Sequence, residues 1–521
     1  LIAAGKLENL PGFGKKMQEK IKTSIESKFI KEERMLLSEA TLASEDLLNY
    51  LRKIKEVEKL IAAGKLENLP GFGKKMQEKI KTSIESKFIK EERMLLSEAT
   101  LASEDLLNYL RKIKEVDQVE PLGSLRRHVA TVGDIDIGIS TANPNEVMRE
   151  IQKYQEINKV ISSGESVSRI KLKNGHEVDI KLCAPNEWGS LLHHYTGSKL
   201  HNIALRSYSL EKHLSLSERG IKNLKTGKIF RPKNEKEFYA HLGLPYIPPE
   251  LREGEEEISF AKKGKVLNLV ELNDIRGDLH IHSDFDFDTS HDLGRSKLSE
   301  YLDKARNLEY EYLGISDHNP KFSGTTTTHK RKTLEDRKKT LLTQYYEYEK
   351  KVKTRVPKLL IGLEIDIRAD GELAIDEGLS DFYDYAIVSI HTSFDLNKDE
   401  NTKRIIKALS QPKAIILGHP TTRKLNQRKG IDADWEEIIK FCKQHDKILE
   451  VNATPDRLDL PDDLIKMAVR SGVKLIINSD SHDVSQLDFM KFGVWTARRG
   501  WARKNDVVNT FPYKNLQALL Q

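Results

Sequence analysis

The sequence predicts a multidomain protein in which a helical segment leads into an α+β region, followed by a C-terminal parallel α/β barrel or doubly wound sheet. Three patterns predict it. Apolar residues at Met76, Ile80 and Ile84, then Met94, Leu95, Leu101, Leu106, Leu107 and Leu110, suit a 3.6-residue helical period. From Val119 to about Leu182 the pattern turns to short strands, including 169–173 and 176–182 joined at Asn174-Gly175, a strong hairpin signal. Beyond Asp274 short apolar runs alternate with helical stretches up to the end, as parallel α/β domains require.

A chain of 521 residues has room for several cores. Its 86 Lys and Arg against 80 Asp and Glu, with 38% apolar and 32% charged residues, describe a charge-rich globular protein and exclude a histone-like tail. Two cysteines, Cys183 and Cys442, cannot form a disulfide framework and favour a reducing compartment, the cytoplasm. No apolar run approaches the ~18 residues of a membrane span, so no membrane partner is expected. The chain starts at Leu1 rather than a methionine, and further residues are expected upstream.

Residues 1–57 recur without change as 60–116, exposed Lys and Glu included. Perfect identity at positions that touch nothing points to a very recent duplication or an assembly error. Only the second copy runs into Val119-Glu120-Pro121-Leu122-Gly123-Ser124, which leaves residues 1–58 as an orphan duplicate. The remaining divisions are expected at 59–118 (helical), 119–185 (strand-rich), 186–247 (mixed), 248–273 (linker) and 274–521 (α/β). The linker reading rests on the three prolines and acidic run of residues 245–257.

Leu69-Pro70-Gly71-Phe72-Gly73-Lys74-Lys75 places two glycines at a tight turn opening a helix, with lysines after it. Glycine admits close backbone approach, and free N–H groups at a helix start suit a phosphate. The stretch resembles the helix-hairpin-helix motif, which implies that Gly71, Gly73, Lys74 and Lys75 grip a DNA backbone without reading bases.

Gly123-Ser124-Leu125-Arg126-Arg127 stands shortly before Val132-Gly133-Asp134-Ile135-Asp136-Ile137. Strand residues two apart share a face, so Asp134 and Asp136 project together while the isoleucines enter a core. Two such carboxylates can chelate Mg²⁺. Asp179, in the second strand of the Asn174-Gly175 hairpin, repeats the apolar-acid-apolar pattern and completes a two-metal site suited to in-line phosphoryl displacement. With the Gly-Ser turn and the arginines, this set resembles the family X DNA polymerases of the nucleotidyltransferase superfamily. The resemblance implies a polymerase-beta-like palm at 119–185, a thumb at 186–247 and fingers at 59–118. It implies two Mg²⁺ ions on Asp134, Asp136 and Asp179, with Asp179 helping to activate the primer 3′-hydroxyl. Gly123, Ser124 and Arg127 would hold the incoming triphosphate. His194-Tyr195-Thr196-Gly197-Ser198-Lys199 is similar to the family's sugar-sensing turn, which brings Tyr195, Gly197 and Ser198 to the nucleotide. Asn202 and Arg206 stand at the family's nucleotide-contacting Asn and minor-groove Arg.

The last region carries His, Asp or Glu after one apolar strand after another: His280 and His282, His318, Glu364, His391, His419, and Asp480 with His482. In a parallel barrel these strand ends converge on one rim. Imidazole with carboxylate suits Zn²⁺, Mn²⁺ or Fe²⁺. The pattern resembles the PHP domain, a distorted (β/α)7 barrel that holds three metals and hydrolyses phosphoesters. The resemblance makes these eight residues ligands. A ninth, in the longer loop 283–292, is Asp292, with His291 and Asp288 as alternatives.

Together the resemblances imply a monomeric gap-filling DNA polymerase. It would join dNTPs to primer-template or gapped DNA, and the PHP domain would add a 3′-5′ exonuclease. Alternatives are a PHP phosphoesterase or nuclease beside a vestigial nucleotidyltransferase, and a non-enzymatic DNA-binding scaffold. The family's usual N-terminal hairpin module is replaced here by the duplicate, so 5′-phosphate binding and a lyase step are not expected.

Overall fold

A computed structural model describes residues 93–520 apart from 165, 266, 322 and 377. Gly71, Gly73, Lys74 and Lys75, and both copies of the hairpin, lie outside the described residues. A helix at Leu96–Leu110 opens the described chain, with Leu96, Leu106, Leu107 and Leu110 buried as the period requires. Three residues depart from the expected stripe. Met94–Leu95 forms a short strand β1, paired with β3 (Thr131–Val132), and Leu101 is 74% exposed.

Five strands build the first sheet: β2 (Gln118–Pro121), β4 (Ile135–Ser140), β5 (Ile157–Ser163), β6 (Val167–Leu172) and β7 (Glu177–Cys183). Their order is β2-β4-β7-β6-β5. The parallel pair β4/β7 sits at its centre, and β6/β7 is the expected hairpin, with Gly175 at φ +92° in its turn. That left-handed backbone favours glycine. Ile135, Ile137, Ile139, Val178 and Ile180 are fully buried, so the acids between them face the other side.

The thumb region packs helices Trp188–Thr196, Lys199–Glu211 and Glu235–His241 with a small sheet of β8 (Leu214–Ser217), β9 (Gly220–Asn223) and β10 (Ile229–Phe230). Residues 245–257, read as a solvated tether, are instead built into this core. Ile247, Leu251 and Ile258 join the apolar cluster of Leu205, Phe238 and Tyr239. Three charges in that stretch are buried because each meets a distant partner: Arg252 pairs with Glu235 at 2.5 Å, Glu257 with His201 at 2.6 Å and Glu250 with Arg498 at 2.7 Å, while Glu255 and Glu256 stay exposed. Buried charge is tolerated when paired in this way.

Seven parallel strands follow in simple order: β11 (Gly277–Asp278), β12 (Tyr312–Ile315), β13 (Lys358–Asp366), β14 (Tyr385–Ser389), β15 (Ala414–Leu417), β16 (Ile448–Asn452) and β17 (Lys474–Asn478). The sheet curls until its ends meet. Ile281 bridges Ser481 in parallel, the His282 amide donates to the Ser481 carbonyl at 2.8 Å, and the Ser481 amide returns a bond to the His280 carbonyl at 3.1 Å. The result is a nearly closed seven-stranded barrel. Leu458 and Phe492 of this barrel domain share an apolar cluster with Ile135, Ile137 and Val178 of the first sheet, and Trp495 packs against it.

Candidate functional site

The parallel register of β4 and β7 sets Asp136 directly opposite Asp179. Burial, with the Asp134 carboxylate beside it, pushes the Asp136 carboxyl up to about 6. Asp179 moves the other way, because Arg169 Nε and Nη2 donate to its two oxygens at 2.5 and 2.9 Å and Lys181 Nζ adds a bond at 3.1 Å. Gly123, at φ +57°, opens the short turn above the pair. A Cβ there would lie 2.7 Å from Asp136 Oδ2, so only glycine lets the Gly-Ser backbone come so close. The Asp134 and Asp179 carboxylates both raise the proton affinity of Asp136, and carboxylates gathered in this way suit hard divalent cations.

The other residues of the expected nucleotide pocket are tied to their own neighbours. Arg127 donates from Nη1 to the Thr196 carbonyl at 2.5 Å and from Nε to Glu253 at 3.2 Å. Ser198 Oγ caps the helix Lys199–Glu211 by accepting from the His201 amide, and Asn202 Nδ2 donates to the His194 carbonyl. Arg206 lies 3.5 Å from His194 Nδ1, and Lys181 sits over the Tyr195 ring, 5.5 Å from its centroid. Ser124 lies in the one-turn helix Gly123–Arg126.

The second centre fills the barrel mouth. Glu364, 1% exposed, is its hub: His318 Nδ1 lies 3.0 Å from one oxygen and His419 Nε2 3.0 Å from the other, with His280 at 3.2 Å and His282 and His391 at 3.5 Å. Burial opposes its charge, yet these rings hold Glu364 well below the usual carboxylate range. Asp480 receives His282 at 3.2 Å and lies 3.8 Å from His482. His419 and Asp480 carry positive φ of +24° and +54°, strained backbone of the kind that accumulates at functional sites.

Potential ligand atoms gather in four overlapping groups: His282, His318, His482; His280, His282, Glu364, Asp480; His318, Glu364, His391; and His291, Asp366, His391. His280 Nε2, His318 Nδ1, His482 Nε2 and Glu364 Oε2 are buried there without hydrogen-bond partners. Converging lone pairs left unpaired by protein fit bound cations.

Within the loop 283–292, His291 Nε2 reaches Asp366 at 3.0 Å and so enters the cluster. Asp292 has a side chain 83% exposed, 3.7 Å from His482, and Asp288 is exposed. Sequence reasoning missed Asp366, although the Glu364-x-Asp366 spacing places both on one strand face. It also gave no role to Glu450, which accepts from His280 Nδ1 at 2.7 Å, the His419 amide at 2.6 Å and Asn478 at 2.9 Å.

Among known proteins, the DNA polymerase beta thumb family matches residues 191–253 and the PHP domain family residues 278–454. The DNA polymerase/3′-5′ exonuclease PolX of Bacillus subtilis is 33% identical over 461 residues, spanning 88% of this chain and 78% of that protein. The chain belongs to the PolX group of family X DNA polymerases. Partial relatives of this PolX-family chain match each half separately. A probable phosphatase of Clostridium acetobutylicum is 27% identical over 199 residues, 36% of this chain and 72% of its own. Human DNA-directed DNA/RNA polymerase mu is 36% identical over 76 residues, 14% of this chain and 15% of its own. The nearly closed barrel of β11–β17 is the expected PHP (β/α)7 architecture, and the thumb match overlaps the expected 186–247 and runs on into the stretch read as a linker. No helix among the described residues is long and apolar enough to cross a membrane.

Proposed function

We propose that this chain fills short gaps in DNA during repair, joining dNTPs to a primer-template, and removes 3′-terminal nucleotides with its barrel domain. The polymerase reading rests above all on Asp136 facing Asp179 across β4 and β7 beneath the Gly123 turn. Asp134, Asp136 and Asp179 would hold two Mg²⁺, which when bound neutralise developing charge and favour in-line attack of the 3′-hydroxyl on the α-phosphate. The Gly123-Ser124 backbone and Arg127 bind the triphosphate, while Tyr195, Gly197 and Ser198 face its sugar. Asn202 and Arg206 orient the nascent pair. Gly71, Gly73, Lys74 and Lys75 add salt-sensitive backbone affinity.

In the barrel, His280, His282, His318, Glu364, His391, His419, Asp480 and His482 would hold three divalent cations of the Zn²⁺, Mn²⁺ or Fe²⁺ class. Those cations polarise a phosphodiester and activate water. The loop ligand falls on His291, with Asp366 beside it, rather than on Asp292. The domain reading is fingers at 59–118, palm at 119–185, thumb from 186 and PHP from 274, in a cytoplasmic monomer.

The test is reciprocal. Asp179→Ala should abolish primer extension and leave 3′-5′ exonuclease in Mn²⁺ intact, and His318→Ala should do the reverse. Incorporation that survives Asp179→Ala overturns the palm assignment. Nuclease activity that survives His318→Ala overturns the barrel assignment.

A further inference from the structure

The geometry points to Arg499, a residue of the barrel domain, as a positioning residue for Arg127 in nucleotide binding. The inference rests on the reading of Arg127 as a triphosphate ligand. Arg499 ends the helix Met490–Arg499, and its side chain is 8% exposed. It donates from Nη1 to the Arg127 carbonyl at 3.0 Å and to Glu253 Oε1 at 2.8 Å, while Nε and Nη2 hold Asp462 at 2.8 and 2.6 Å. Glu253 Oε1 is the same atom that accepts from Arg127 Nε at 3.2 Å. One carboxylate oxygen therefore serves two guanidinium groups, one from each domain. The neighbouring turn is clamped as well: His128 stacks on Trp495 with ring centroids 4.0 Å apart and planes 1° from parallel.

This arrangement sets a competition. Glu253 and a bound triphosphate both seek the Arg127 guanidinium, and a carboxylate shared with a second arginine competes less strongly. Arg499 draws Glu253 toward itself and fixes the Arg127 main chain, so Arg127 is free to turn to phosphate. Without Arg499, Glu253 keeps Arg127 for itself. The polymerase site thus depends on a side chain outside the polymerase domains.

The full chain with a gapped DNA substrate tests it. Arg499→Ala should raise the KM for dNTP about tenfold with little change in kcat, the scale of one charge-assisted hydrogen bond. The exonuclease rate of the same preparation should stay at the wild-type level, which also certifies a folded barrel. Adding Glu253→Gln to Arg499→Ala should restore most of the affinity, because the competitor is gone. A purely structural arginine would show no such rescue. The inference is overturned if folded Arg499→Ala keeps the wild-type KM, or if the double variant is no better than Arg499→Ala. Arg127→Ala separates the two levels. A raised KM there with an unchanged KM in Arg499→Ala removes only the inference, while an unchanged KM in Arg127→Ala removes the triphosphate reading and the inference with it.

Discussion

Arg169 grips Asp179 at two points, through Nε at 2.5 Å and Nη2 at 2.9 Å, across the antiparallel pair β6/β7. The guanidinium occupies both carboxylate oxygens, so a cation must compete with it for Asp179. Arg169→Ala is expected to lower the Mg²⁺ concentration for half-maximal dNTP incorporation severalfold, read from a metal titration at fixed dNTP. An increased Mg²⁺ requirement would mean that Arg169 positions Asp179 rather than competing for it.

Glu450 offers a second test. Through His280 Nδ1 and the His419 amide it holds two residues of the barrel cluster. Partners that orient metal-binding imidazoles are worth roughly 10–100-fold in metal affinity. Glu450→Gln should therefore lose bound metal at limiting chelator, measured by elemental analysis, with exonuclease falling in step and primer extension unchanged.

The loop that precedes the helix Leu298–Asn307 separates two neighbours. His291 enters the cluster beside Asp366, whereas Asp292 is largely in solvent. Elemental analysis of His291→Ala should show reduced metal content, and Asp292→Ala should match the wild type. The opposite result would require the loop to rearrange when cations bind.

A pH dependence follows from His193, buried against Phe238 with ring centroids 4.2 Å apart and 3.4 Å from the Tyr239 hydroxyl. Burial holds its pKa well below the ordinary 6.5. Because the folded value is depressed, the stability linked to the neutral ring is present above about pH 6.5 and is lost as pH falls toward the folded value. His193→Gln should flatten the fall in urea midpoint between about pH 6.5 and 5, as the unfolded histidine titrates in that window. An unchanged slope would assign the acid sensitivity to other groups.

How far the sequence could be read depended on whether the decisive contacts were local. The facing of Asp136 and Asp179 was legible because strand alternation fixes which way each points, and Asn174-Gly175 identified the hairpin that carries Asp179, whereas Asp134 lies in the bend before β4. The strand-end histidines were legible for a similar reason, since parallel strands of one polarity share a rim. The segment 245–257 was not: Glu250, Arg252 and Glu257 look solvated in sequence and become buried through partners as distant as Arg498, which no periodicity announces. The choice between His291 and Asp292 was equally hidden, because an irregular loop has no period from which to infer its inward face. Asp366 was available from its spacing to Glu364, as the paired His280 and His282 show.

The apolar cluster that joins Phe492 and Leu458 to Ile135 and Val178 has a mechanical corollary. Swinging the nuclease away from the palm would expose oily surface on both sides, so the two workshops are welded rather than hinged.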